Sequence, residues 1–202
     1  MARRFHRNRS PTFFFKLDIA KAFDSVRWDY LLTLLQKLGF PDRWREMIAR
    51  LLSTSCSRII LNGVPTRPIQ HGRGLRQGDP LSPLLFVIAI DPLQKLLNLA
   101  TERGIFSKVR GSAPGIRVSL YADDAALFLA PAKKEVSSLA ALLTLFGEAT
   151  GLKTNFHKST VVPIHCNGLN LRHVLAELAA KSAHFPIKYL GLPLTTGTLA
   201  EG

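Results

Sequence analysis

The stretch Val118-Ser119-Leu120-Tyr121-Ala122-Asp123-Asp124-Ala125-Ala126-Leu127-Phe128-Leu129 sets two adjacent acids between two short apolar runs. In the first run Val118, Leu120 and Ala122 alternate with Ser119 and Tyr121, and the second stays apolar through Ala130 until Pro131 stops it. The pattern predicts a β-hairpin with Asp123 and Asp124 at its tip. Aspartate is at home in turns, because its side chain bonds nearby backbone and tolerates unusual dihedrals. This turn, however, has no glycine and has flanks of buried character. Adjacent carboxylates there are unfavourable unless a cation neutralises them.

A further acid occupies an equivalent place. Thr12-Phe13-Phe14-Phe15-Lys16-Leu17-Asp18-Ile19 is a β-type run whose last residue but one is Asp18. Asp18, Asp123 and Asp124 are therefore the candidate catalytic and metal-ligating residues. Carboxylate oxygens suit Mg²⁺, with Mn²⁺ as the alternative, and a pair of such ions about 3.5–4 Å apart supports phosphoryl transfer. Asp18 lies far from the other two in sequence, so only the fold can bring them together.

Composition points the same way. The chain has 202 residues, of which 47% are hydrophobic, enough for one domain with a real core. Its 27 Lys and Arg against 14 Asp and Glu give a formal charge of +13, the electrostatic footprint of a polyanion binder. Nucleic acid is the expected partner. No membrane partner is expected, because the longest apolar run, residues 84–90, is cut by Asp91 and Pro92 well short of the roughly 18 residues a span requires. Cys56 and Cys166 stand alone, so no disulfide partner is expected. His157, His165, Cys166 and His173 fit no common zinc spacing. Arg3, Arg4, Arg7 and Arg9 make residues 1–12 a basic arm, readable as a transit peptide, a nuclear import patch or a phosphate-contacting segment.

Between the acids the sequence is mostly helical. Periodicity predicts helices over residues 28–38, about 41–52, about 80–103 and 133–150, and another over about 169–181. Residues 57–70 read as a hairpin about Asn62-Gly63, a dipeptide suited to turns with two positive φ angles. After it comes His71-Gly72-Arg73-Gly74-Leu75-Arg76-Gln77-Gly78-Asp79-Pro80, where glycines let backbone approach a ligand and Arg76 can pair with phosphate. A loop is expected at residues 111–115, a short strand or hairpin at 185–193, and a loose tail at 196–202.

Four segments carry a resemblance to a known family. Phe15-Lys16-Leu17-Asp18-Ile19-Ala20-Lys21-Ala22-Phe23-Asp24-Ser25-Val26, Arg76-Gln77-Gly78-Asp79-Pro80-Leu81-Ser82-Pro83, Tyr121-Ala122-Asp123-Asp124 and Gly151-Leu152-Lys153-Thr154-Asn155 occur in that order. The chain resembles the reverse transcriptase domain of non-LTR (LINE-type) retrotransposons, particularly plant elements. The resemblance implies that Asp18 and Asp123 are direct metal ligands with Asp124 auxiliary. It implies that Phe23 excludes a 2′-hydroxyl, that Gln77 and Gly78 border the incoming nucleotide and template, and that Lys158 helps protonate pyrophosphate. Tyr189-Leu190-Gly191-Leu192-Pro193 is similar to the segment that grips the primer.

The expected fold is α+β, a polymerase-type palm over residues 13–195. Its antiparallel sheet is built from the strands around Phe13, Val118 and Leu127 and backed by helices, with fingers and thumb largely missing. The expected function is RNA-directed DNA polymerase chemistry, extending a DNA primer on an RNA template with dNTPs. The competing expectation is a retrotransposon remnant that binds nucleic acid through its charge and does no catalysis.

Overall fold

The computed structural model describes residues 11–107, 118–121 and 124–195. Residues 1–10 of the basic arm, the loop at 111–115, Asp123 and the tail at 196–202 lie outside the described residues, while Thr12, expected in the arm, belongs to the first strand. Two compact units make up the chain. The first combines the residues up to Ala20 with Pro92–Leu145 and those from Thr154 onward; the second combines Lys21–Asp91 with Phe146–Lys153.

The first unit is organised by β1 (Thr12–Asp18). This strand pairs antiparallel with β7 (Asp124–Leu129) on one side and β8 (Thr160–Ile164) on the other. Beyond β7 lies β6 (Val118–Tyr121), and beyond β8 lies β9 (Lys181–Ser182), whose pairing is parallel. Both faces of this strand are covered along residues 13–15, which explains three successive phenylalanines. Phe13, Phe15 and Leu17 are buried on one face, each such side chain contributing about 1.5–3 kcal/mol when fully buried. On the other face Phe14 sits with Ala126, Phe128, Val162 and Ile164. Over that cluster packs the hairpin of β10 (Ile187–Tyr189) and β11 (Leu192–Leu194), through Ile187, Tyr189 and Leu194. The Phe14 ring meets Phe128 at 5.2 Å and Tyr189 edge-on at 6.3 Å.

The sheet is thus larger than the three strands expected, because β8 and β9 extend it. The extension also corrects the helix expected over residues 169–181. Only Leu171–Val174 is helical, a single turn capped by Asn170, whose side chain accepts from the His173 amide. Past it the chain is taken by the sheet edge, where the amides of Lys181 and Ala183 donate to the Ser159 and Val161 carbonyls. Edge pairing there satisfies backbone that a continued helix would otherwise bond to itself.

The second unit holds the helices Ala22–Ser25, Trp28–Lys37 and Asp42–Ser53. Leu31 and Leu35 bury one stripe of the Trp28–Lys37 helix, while Leu38, expected on that stripe, caps the helix and is exposed. Two short ribbons follow, one of β2 (Cys56–Ser57) with β5 (Ile69–Gln70) and one of β3 (Ile60–Leu61) with β4 (Val64–Pro65). The expected turn at Asn62-Gly63 is present, both residues having positive φ.

The Ser82–Glu102 helix runs through Pro92. Near that proline, the Tyr30 hydroxyl donates to the Ala89 carbonyl at 2.9 Å. Burial, with the charge of Asp91, pushes the Tyr30 hydroxyl up to about 12. The helix corrects the expectation that no segment is long and apolar enough to cross a membrane. By length and composition alone it is, with mean hydropathy 1.4, a composition that the core helix of a domain shares. Its Leu85, Phe86, Ala89, Ile90, Leu93 and Leu97 are buried.

Candidate active site

Register, more than any local motif, places the acids of the first unit. Asp18 ends β1 and pairs with Asp124, the first residue of β7, which also pairs with Tyr121 of β6. Asp124 is therefore a strand residue and not part of the turn, while Asp123 lies outside the described residues. Both backbone bonds that fix Asp18 come from the segment before β8. The Asp18 amide donates to Ser159 Oγ at 3.1 Å, and the Asn155 amide donates to the Asp18 carbonyl at 2.8 Å. The hydroxyl of Ser159, 1% exposed, itself donates a hydrogen bond to the Asn155 carbonyl at 2.8 Å. The sequence reading missed Ser159. Its only signal was position, one residue after Lys158 in a turn leading into a β-branched run.

Lys16, two residues before Asp18 on the same strand face, brings Nζ to 3.8 Å from Asp124 Oδ1 and 3.3 Å from the Lys188 carbonyl. One ammonium thus links the β7 carboxylate to β10. About a third of each side chain is exposed, so the ion pair itself is worth only about 0–1 kcal/mol. Lys158 lies exposed in the turn held by Asn155, which accepts the Lys158 amide on its carbonyl at 3.2 Å. Tyr189 and Leu190 lead into the β10–β11 turn, where Leu190 and Gly191 both have positive φ.

The second unit contains its own cleft of about 610 Å³, lined by Asp24, Ser55, His71, Arg73, Arg76 and Gln77, among others. Its wall is the glycine-rich loop, stitched to the first motif by backbone bonds from Gly74 to the Val26 carbonyl and from Leu75 to Phe23. A side chain at 74 is excluded: φ is +92° and a Cβ would lie 2.8 Å from the Asp24 carbonyl. Gln77 Nε2 donates to Asp24 Oδ1 at 3.5 Å. Arg76 donates to Thr54 Oγ1 at 2.9 Å and Ser55 Oγ at 3.4 Å. His71 bridges Ser55 and Ser57, at 3.0 and 2.7 Å. Gly78 has φ +87° with open space around it. Phe23 stacks on Phe86 with centroids 4.6 Å apart. Asp24, Ser55 and His71 had no assigned role in the sequence reading, although His71 opens the loop it singled out.

Among the described residues, which do not include Asp123, no group of three or more His, Cys, Asp or Glu could hold a metal ion. Cys166 is instead packed away, its thiol donating to the Ile164 and Thr12 carbonyls, and burial pushes that thiol up. Cys56 is exposed and unbridged.

A mixed α/β unit whose antiparallel-rich sheet sets one acid from each of two neighbouring strands side by side is the framework of a nucleotidyl-transfer fold. The chain matches the reverse transcriptase (RNA-dependent DNA polymerase) family over residues 2–194, and it belongs to that family. It is similar to the Pol polyprotein of a type-1 retrotransposable element R2 of Popillia japonica, 33% identical over 153 residues. That match covers 75% of this chain and 21% of the polyprotein, so the chain spans about a fifth of that relative's length. An uncharacterised mitochondrial protein of Arabidopsis thaliana is 45% identical over 67 residues, 32% of this chain and 55% of that protein. In fold, the chain is similar to a truncated apo telomerase of Candida tropicalis, with TM-score 0.59 and 12% identity, over 83% of this chain and 34% of that one.

Proposed function

We propose that residues 13–195 are the palm of a plant non-LTR reverse transcriptase, extending the 3′-hydroxyl of a DNA primer along an RNA template with dNTPs. The observation that carries this reading is the register of Asp18 against Asp124 in a chain of the reverse transcriptase family. The stretch shared with the Arabidopsis protein supports the plant origin. The +13 charge supports a nucleic-acid template and primer as partners.

The donor set fits a divalent cation. Asp18 and Asp124 are partly exposed carboxylates on adjacent strands, and Mg²⁺ takes one or two protein carboxylates while keeping waters and substrate phosphates. Asp18, Asp124 and Asp123 would hold Mg²⁺, or Mn²⁺ in its place. Such ions, when bound, supply Lewis acidity toward phosphate oxygens and the primer hydroxyl.

The protein's own groups do the remaining work. Ser159 and Asn155 hold the Asp18 backbone in place, and Lys16 holds the Asp124 carboxylate near the β10 strand. Phe23, held flat by Phe86, is the wall that rejects a 2′-hydroxyl. Arg76 takes a phosphate oxygen, while Gln77 and Gly78 line the nucleotide and template. Lys158 delivers a proton to the leaving pyrophosphate. Tyr189, Leu190 and Gly191 hold the primer.

The deciding experiment is primer extension by the purified chain on an RNA template, beside Asp18→Asn and Asp123→Asn. Each substitution is expected to lower extension by about a thousandfold or more with the fold unchanged by circular dichroism. Full activity in either variant overturns the assignment of that acid. A folded wild-type chain that binds nucleic acid but extends nothing identifies the non-catalytic remnant instead.

A further inference from the structure

Every residue from Cys56 to Arg73 is exposed. At the tip of this segment the aliphatic side chains are bare, with Ile60 70%, Leu61 65% and Val64 67% exposed. Cross-strand partners share a face, so Ile60 with Pro65 covers one side of the ribbon and Leu61 with Val64 the other. Both faces are therefore apolar, and neither is buried. An aliphatic ribbon left open to water on both sides marks a contact surface.

Charge identifies the occupant. Between Glu46 and Asp79 there is no acid, while Arg50, Arg58, Arg67, Arg73 and Arg76 all fall in that interval. Arg58 and Arg67 lie just outside the two strands of the apolar tip, each next to a member of the Ile59–Thr66 backbone pair that closes the ribbon. The base is held firmly as well. The β2–β5 pair leads directly into the cleft wall, and the His71 bridge to Ser55 and Ser57 ties the two together.

We infer that the β3–β4 ribbon is a duplex clamp. Arg58 and Arg67 neutralise backbone phosphates of an RNA·DNA hybrid, and Ile60, Leu61 and Val64 lie against its minor-groove surface. An A-form duplex presents a wide, shallow minor groove, which accommodates a short apolar ribbon, and aliphatic side chains commonly contact or wedge duplexes from that side. The inference rests on the polymerase reading above for the choice of a template–primer hybrid.

The test is fluorescence anisotropy of a labelled RNA·DNA hybrid longer than one helical turn, titrated with the full chain over a series of salt concentrations. Arg58→Ala and Arg67→Ala are each expected to reduce the slope of log K against log salt by about 1. Ile60→Ser combined with Leu61→Ser is expected to weaken binding several-fold with the slope unchanged. Lys37→Ala, the same loss of charge outside the ribbon, should change neither as much. Wild-type binding that all ribbon variants retain, or that Lys37→Ala weakens equally, overturns the clamp and leaves the polymerase reading standing. Loss of self-association instead of hybrid binding in the Ile60/Leu61 variant overturns it in favour of a second copy of the chain. A wild-type chain that binds no hybrid overturns the clamp, and the primer-extension assay then decides separately whether the polymerase reading falls with it.

Discussion

Two antiparallel pairs in this protein, the longest and one of the shortest, are built on opposite terms. β1 and β7 pair over six residues, from Phe13 opposite Leu129 to Asp18 opposite Asp124, and most of the side chains between are buried. β3 and β4 pair over two residues with every side chain in water. The long pair owes its geometry to packing, so the acids at its end are held by a frame they do not themselves stabilise. The short pair owes its geometry to turn chemistry and a few hydrogen bonds, so its side chains are free for another molecule. A framework that must hold carboxylates in place and a surface that must meet a ligand call for different sources of order.

That contrast is broken most severely at Phe14. Phe14→Ala would empty the centre of the cluster with Phe128, Val162 and Ile164, and the expected loss is about 3–5 kcal/mol in urea unfolding. A cost below about 1 kcal/mol would mean that the sheet does not depend on this face, and that the distinction between the two pairs is one of length only. Ser159→Ala sharpens the same point. It removes an acceptor from the Asp18 amide and a donor from the Asn155 carbonyl in a buried spot, with an expected cost of about 1–3 kcal/mol. If Ser159 positions Asp18, primer extension should lose kcat with little change in KM; an equal loss in every kinetic constant, tracking only the folded fraction, would make the residue merely structural.

Legibility in the sequence followed the same division. Elements declared by local chemistry were readable: the Phe13 strand, the Asn62-Gly63 turn, the helix at 133–150 ended by Gly151, and the hairpin near Tyr189. What depended on distant partners was not. The alternation around Tyr121 predicts Asp124 at the hairpin tip, but pairing with both Tyr121 and Asp18 makes it a strand residue instead. Residues 169–181 have helical composition, yet a free edge of β8 claims Lys181 and Ala183, and a single sequence does not announce an edge in need of a partner. Of the site, the acids and the glycine-rich loop were visible as residue types with chemical meaning. Ser159, Lys16 and His71 were not, because each acts through a neighbour that only the fold supplies.

The smallest expected effect is at the ribbon tip. Ile60→Ser removes an aliphatic side chain from a site already in water, so the transfer and cavity costs that burden a core substitution do not arise. The Asn62-Gly63 turn and the bonds between Ile59 and Thr66 do not involve its side chain. Unfolding should therefore shift by no more than about 0.5 kcal/mol. A loss above about 1.5 kcal/mol would show that Ile60 is covered by the chain itself in solution, and the ribbon would then belong with β1 as part of the frame. A stability near zero change, beside weakened hybrid binding in the same protein, would fix the opposite assignment: a side chain whose apolar surface the fold does not use, and which is free energetically to be buried by a ligand.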